Sequence, residues 1–304
     1  MRRQLLIGGA VGCAVVLGVG LVVWASTQGF LGPYGQARHL LVLADRAVQQ
    51  GQLPQAQGFL EELIKTYPDA PVTSEGLLKL GQVQEQQQHL PEARAMYRLL
   101  LEHFPASAQV QEAQARLGAV NVALLFSPIV TEADTAYAVQ PGDTLGQIAA
   151  RHHTTAEIVR RANGLKGDVI RPKQPLKIPG GTFTIVVDKS QNQLLLSQNN
   201  AFFKLYPVAT GKDGSTPVGT FKIVNKITNP VWYRQGAAVP PDSPENILGT
   251  RWLGWDKKGY GIHGSVDPSG IGKQVTAGCV RMHNQDVEEL FAIVPTGTEV
   301  TIVD

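Results

Sequence analysis

Leu53-Pro54-Gln55-Ala56 is matched by Leu90-Pro91-Glu92-Ala93, and Tyr67-Pro68 by Phe104-Pro105, both at an offset of 37 residues. This repeat restricts the fold more than any other feature of the 304-residue chain. A unit of this length cannot bury its own apolar face and does so by stacking on its neighbour. Residues 36–120 are rich in Ala, Leu, Gln and Glu, and apolar positions recur at helical spacing: Leu60, Leu63 and Ile64, then Leu77, Leu78 and Leu80. Each unit closes a helix at its aromatic-proline pair, where proline stops helical hydrogen bonding. Residues 36–120 are therefore expected to be an all-α repeat stack.

The two units resemble tetratricopeptide repeats, whose period is about 34 residues. The resemblance implies a concave surface for a protein partner. A spacer with no ligand explains the same pattern, because stacking alone requires it.

A compact segment follows, residues 137–179. Tyr137–Val139 reads as a strand, and Pro141-Gly142 as a turn. Asp143 or Thr144 can cap a helix carrying Leu145, Ile148 and Ala149, and Thr154 or Thr155 a second carrying Ile158 and Val159. Asn163-Gly164 turns the chain into a closing strand, Leu176–Ile178. This βααβ pattern, with Val139, Gly142-Asp143-Thr144-Leu145, Ile148-Ala149, Asn163 and Leu176-Lys177-Ile178-Pro179, resembles the LysM module, a small α+β fold. Lys173 stands where that family usually has glycine. The resemblance implies binding to N-acetylglucosamine-containing glycan strands of peptidoglycan. His152 and His153 are read as exposed helix-end residues; adjacent side chains on a helix diverge and make a poor metal pair.

At the other end, Met1-Arg2-Arg3 precedes the uncharged stretch Leu5–Trp24, twenty residues that as a helix span about 30 Å, the thickness of a bilayer core. Residues 1–25 read as a membrane anchor with the N-terminus in the cytoplasm, in preference to a signal peptide cut near Trp24-Ala25-Ser26. The remainder would lie in the extracytoplasmic envelope. The net charge of +2, spread along the chain, gives no basic face for nucleic acid.

Gly180-Gly181 reads as a hinge. Beyond it, residues 182–304 become β-rich, with strands expected at Phe183–Val187, Gln193–Leu196, Ala201–Ala209, Thr220–Val224 and Glu299–Val303, and a short helix at Asn284–Phe291. Gln198-Asn199-Asn200 and Lys212-Asp213-Gly214 mark turns. This part holds Cys279, one of only two cysteines; the other, Cys13, lies in the N-terminal apolar run. Two cysteines make neither a disulfide framework nor a zinc site. A lone cysteine is often a small buried hydrophobe. It can also be a nucleophile, if a histidine takes its proton. His263, sixteen residues earlier and flanked by Gly261, Ile262 and Gly264, is the candidate base. Gly278 leaves room for a carbonyl beside Cys279, where backbone N–H groups can form an oxyanion hole, and Arg281 shares the face of Cys279 if the segment is a strand. Spacing alone leaves both readings open.

The stretch Tyr260-Gly261-Ile262-His263-Gly264 … Thr276-Ala277-Gly278-Cys279-Val280-Arg281-Met282-His283-Asn284 resembles the active-site segment of YkuD-type L,D-transpeptidases. Thr216-Pro217-Val218-Gly219-Thr220-Phe221 fits the Thr-Pro-x-Gly-x-Phe element of that family. Many members have histidine where Ala277 stands here. The resemblance implies a mostly-β catalytic domain over residues 182–304, with Cys279 as nucleophile, His263 as base and the Gly264 carbonyl as its orienter. It places Thr276, Gly278 and Arg281 in the substrate pocket and oxyanion site. Asp267, beside Pro268, reads as a turn residue and Asp286 as a helix cap. No metal or other cofactor is implied.

The chain is thus expected to be multidomain: membrane helix, helical repeats, LysM module and catalytic domain. The chemistry implied is acylation of Cys279 by a peptidoglycan stem peptide, with loss of its terminal D-alanine, and 3→3 cross-linking by an amine of a second stem. Water as acceptor would make the protein an L,D-carboxypeptidase. Similar enzymes also attach an envelope lipoprotein or exchange the terminal D-amino acid. A protein of another class, a wall-binding scaffold with no catalysis, would be expected to lack Cys279, His263 or Arg281.

Overall fold

Pro54 and Pro91 each occupy the first turn of a 14-residue helix, and the two helices have the same ends. Residues 33–234 and 236–304 are described by the computed structural model. They fall into two compact units, one ending at Ala113 and one running from Gln114 to Asp304. The proposed anchor, residues 1–25, lies outside the described residues; among those described, no helix is long and apolar enough to cross a membrane.

The first unit contains α1 (Pro33–Gln49), α2 (Leu53–Thr66), α3 (Thr73–Gln86) and α4 (Leu90–His103), and α5 (Val110–Leu125) begins in it. Tyr67 and Phe104 close α2 and α4 in the same way: φ/ψ of −130°/55° and −128°/52°, each N–H bonded to the carbonyl four residues back. The 37-residue offset is therefore a structural period. Leu60 and Leu63 of α2 pack with Leu80 and Val83 of α3 in one core. A Cβ at Gly81 would lie 2.3 Å from the Tyr97 ring, so the glycine lets this fully buried ring lie against α3.

In the second unit, β1 (Thr135–Ala138), α6 (Leu145–Arg151), α7 (Ala156–Ala162) and β2 (Pro175–Ile178) make the βααβ module around Val139, Leu145, Ile148 and Val159. Of the paired cap candidates, Thr144 caps α6 in a capping box with Gln147, and Thr155 caps α7. Lys173 adopts φ 69° and donates its N–H to Val139 O at 2.7 Å; the turn keeps its left-handed shape without glycine. His152 is partly covered, edge-on to Tyr137 at 5.7 Å.

This module is fastened to its surroundings. Lys177, on β2, is buried and donates to the carbonyls of Leu124, Ser127 and Ile129 at 2.7, 3.0 and 2.7 Å, capping the end of α5. Asp134 Oδ2 lies 3.3 Å from its ammonium. Ile158 of α7 belongs to the core of the following sheet domain. The hinge expected at Gly180-Gly181 is instead a packed crossing. A Cβ on Gly180 would lie 2.4 Å from Ala133 O, and Gln198 Nε2 bonds the Gly180 carbonyl at 2.7 Å.

The remainder is built on one large sheet. Its strands are β3 (Phe183–Asp188), β4 (Gln193–Gln198), β5 (Ala201–Pro207), β7 (Gly219–Thr228), β10 (Arg251–Trp255), β11 (Gly261–His263), β13 (Val280–Arg281) and β14 (Glu299–Val303). These eight lie in the order β13-β11-β10-β7-β14-β3-β4-β5. Two-stranded pieces flank the sheet: β6 (Thr210–Gly211) with β12 (Gln274–Thr276), and the hairpin of β8 (Trp232–Arg234) and β9 (Ala237–Val239). Phe183, Ile185 and Val187 alternate inward along β3, and Leu194 and Leu196 along β4, as a half-buried strand requires. Asn199 and Asn200 take the positive φ angles of a two-residue hairpin turn. The single strand expected over Ala201–Ala209 ends at Pro207. Helix α8 (Asn284–Ile293) packs on β10 and β11, the strands that lead to the site.

Candidate active site

Strand β11 is buried at all three residues, between β10 on one side and β13 on the other. It runs parallel to β13, with Ile262 opposite Val280 and His263 opposite Arg281. Alternation then sets His263, Arg281 and Cys279 toward one face. All three line a cavity of ≈ 620 Å³ with Thr276, Ala277, Tyr260 and Trp252, bordered by Trp232 and Tyr233 of the β8–β9 hairpin.

His263 is 2% exposed, and its Nδ1 lies 2.7 Å from the Gly264 carbonyl. That carbonyl can only accept, so Nδ1 carries the proton and Nε2 keeps its lone pair. The Trp252 ring stacks over the imidazole at 6.1 Å, from the paired position on β10. Burial lowers the His263 pKa to about 4, against the bond to Gly264; Arg281 lowers it further. Burial also raises the Cys279 thiol, opposed by the Gly261 backbone and the Arg281 charge. The pair therefore rests as thiol and neutral imidazole. The Cys279 sulfur lies 3.6 Å from the Gly259 carbonyl.

The turn before Cys279 is set by Thr276. Its hydroxyl donates to Cys279 O at 2.6 Å and accepts the Gly278 N–H at 3.2 Å. The Gly278 N–H is thus engaged within the turn. Gly278 has φ 133°, and a Cβ there would sit 2.8 Å from Tyr260 Cε1. Tyr260 is the outer member of a stack with Trp255 and Phe221. The motif glycine thus meets both a backbone and a packing demand. Among the described residues, Arg281 Nε is buried without a hydrogen-bond partner, a group that calls for one.

Asp267 Oδ1 accepts the Ser269 N–H at 2.9 Å as a turn residue. Asp286 lies within the first turn of α8 and is not its cap; His283 holds the N-cap position, without a side-chain bond. Among the described residues no cluster of three His, Cys, Asp or Glu could hold a metal.

Two contributors escaped sequence reasoning. Trp252 has no spacing that marks it. Asn284 was visible only as part of the motif; its Oδ1 accepts from Ser265 N at 3.0 Å and Thr250 N at 3.2 Å, directly behind Gly264.

Residues 182–302 match the L,D-transpeptidase catalytic domain (YkuD), residues 137–179 the LysM domain and residues 47–117 a tetratricopeptide repeat. A Bacillus licheniformis protein provisionally named as the L,D-transpeptidase YkuD is 41% identical over 174 residues, 55% of this chain and 97% of that one. The Bacillus subtilis protein provisionally named as the L,D-transpeptidase YqjB is 41% identical over 145 residues, 45% of this chain and 81% of that one. A solved L,D-transpeptidase from Mycobacterium tuberculosis has a TM-score of 0.35 and 16% identity, covering 57% of this chain and 92% of that one.

Proposed function

The chain belongs to the YkuD family of L,D-transpeptidases, and on that premise we propose that it joins peptidoglycan stem peptides through a thioester on Cys279. The observation that supports this most is the register of β11 on β13, which turns Cys279, His263 and Arg281 into one cavity while Gly264 takes up the other imidazole nitrogen.

The chemistry follows from the resting protonation. Cys279 is a neutral thiol, so its proton passes to His263 Nε2 as the sulfur attacks the carbonyl between the third and fourth stem residues. The carbon–nitrogen bond breaks, and the departing D-alanine amine takes the proton from Nε2. An acyl thioester remains. A side-chain amine of a second stem then attacks the thioester, giving its proton to Nε2; the new amide forms, the carbon–sulfur bond breaks and the thiol is restored. Arg281, with its unpartnered Nε, supplies a charged donor for substrate carboxylate or developing oxyanion. Thr276 and Gly278 serve by holding the Cys279 turn.

The LysM module would hold the enzyme on glycan strands and raise the local concentration of stems. On this reading the protein works in the bacterial cell envelope, outside the cytoplasm, with residues 1–25 as its anchor and the repeats offered to a protein partner.

The test is mass spectrometry of protein and products with disaccharide-tetrapeptide, beside Cys279→Ala. An acyl adduct and a dimer lacking one D-alanine, both absent from the variant, are the expected result. Tripeptide without dimer would replace transfer by hydrolysis. No adduct and no turnover, with glycan binding intact, would leave only the wall-binding role.

A further inference from the structure

Asn284, at the start of α8, reaches the same peptide group that orients His263. The Gly264–Ser265 peptide presents its carbonyl to His263 Nδ1 at 2.7 Å and its N–H to Asn284 Oδ1 at 3.0 Å. One amide oxygen therefore fixes the plane of the peptide whose other edge holds the imidazole. The same Oδ1 accepts the Thr250 N–H at 3.2 Å, and the Thr250 hydroxyl lies 3.5 Å away.

The backbone around this oxygen is cut to admit it. A Cβ at Gly249 would lie 2.3 Å from Asn284 Oδ1, and one at Gly264 would lie 2.2 Å from it. Gly249 also has φ 62°. Two glycines, on segments entering and leaving the β10–β11 region, leave space for a single acceptor. The oxygen thereby joins the segment before β10 to the segment after β11 at the very peptide that holds His263.

We propose that Asn284 is the positioning residue for His263, acting through the Gly264–Ser265 peptide. A bond at the peptide N–H draws electron density toward the carbonyl oxygen and strengthens it as an acceptor. It also prevents the peptide from rotating, which would turn the carbonyl away and release the Nδ1 proton. The imidazole would then populate the other tautomer, with Nε2 protonated and unable to take the Cys279 proton. The peptide and Asn284 together occupy the place a carboxylate fills in a Ser-His-Asp arrangement. This inference rests on His263 acting as the base at Cys279, as proposed above.

The experiment compares the full chain with Asn284→Ala and Asn284→Asp, which retains an acceptor at the same reach. The readouts are kcat and KM for stem-peptide turnover against pH, and ¹⁵N NMR of the His263 ring in the absence of substrate. For N284A the expectation is a fall in kcat of about 10²-fold, the lower range of general-base contributions, with KM held within about twofold. Its His263 should show the Nε2-protonated tautomer, and N284D should restore both the Nδ1-protonated signal and most of kcat. A folded N284A that keeps the Nδ1-protonated tautomer and the original pH profile would overturn the proposal. So would an N284D protein with the tautomer lost, a measurement that stands if N284A does not fold. If His263→Asn leaves turnover unchanged, the reading of His263 as base fails, whereas the tautomer in N284A still reports on the positioning claim.

Discussion

Thr155 Oγ1 donates to the Ala292 carbonyl at 2.7 Å, so the hydroxyl that caps the second LysM helix also bonds the helix beside the active-site strands. Together with Ile158 in the sheet core and Lys177 on the end of α5, this makes LysM and catalytic domains one folding body. The Lys177–Asp134 pair is the sharpest test, because both side chains are at most 3% exposed. Lys177→Met should cost about 3–5 kcal/mol, since it leaves a buried carboxylate without its counter-charge, held only by Thr131, and frees three carbonyls. Lys177→Met with Asp134→Leu should recover part of that loss. Denaturant unfolding of all three proteins, followed by LysM and sheet-domain probes, measures it; the starting protein should show coincident transitions for these two domains.

The neutral resting pair predicts a slow thiol. Alkylation of Cys279 by iodoacetamide should rise through an inflection above that of an ordinary thiol, because burial opposes the thiolate more than Gly261 and Arg281 favour it. Mass-resolved alkylation rates between about pH 6 and pH 11, a range set by ordinary thiol titration, would show it. A rate already at plateau near neutral pH would mean a preformed thiolate–imidazolium pair instead.

Much of this site was legible in the amino-acid sequence, but unevenly. His263, Cys279 and Arg281 stand in a dense motif, and the Gly264 carbonyl needs only to be adjacent to His263. The strands carrying them were harder to see. Gly261–His263 and Val280–Arg281 are too short to show alternation, and β11 is buried throughout, which removes the polar half of the pattern. Long half-buried strands such as Glu299–Val303 announce themselves. Gly180-Gly181 misled because glycine serves close packing as readily as flexibility, and only its neighbours distinguish the two. Thr276 and Gly278 were expected in the substrate pocket and oxyanion site, but the sequence could not show that their polar groups bond one another in the turn before Cys279.

His263 also predicts a pH dependence of stability. Its folded pKa of about 4 lies below the unfolded value near 6.5, so the unfolded chain binds the extra proton between them. The neutral ring's contribution is fully present above about pH 6.5, is lost as pH falls toward 4, and changes no further below; its size is roughly 3 kcal/mol at most. His263→Asn should flatten this part of the profile. Chemical denaturation at closely spaced pH values checks it, and an unchanged slope in the variant would assign the dependence to other groups.

Thr276 separates turn geometry from reaction chemistry. Its hydroxyl bridges the Gly278 N–H and the Cys279 carbonyl, so it fixes the backbone on both sides of Cys279. Thr276→Val keeps the shape and β-branching but removes both bonds, each worth about 1 kcal/mol. Acylation of Cys279 should therefore slow by about tenfold if roughly that much free energy is lost from its alignment. Thr276→Ser retains the hydroxyl and should stay within about threefold, the scale of a few tenths of a kcal/mol. The alkylation profile of the thiol should be nearly the same in both variants, because Thr276 is not among the groups that shift it. Single-turnover acylation read by intact-protein mass gives the rate. If Thr276→Val acylates at the unchanged rate, the Cys279 turn is held by Gly278 packing on Tyr260 rather than by the threonine.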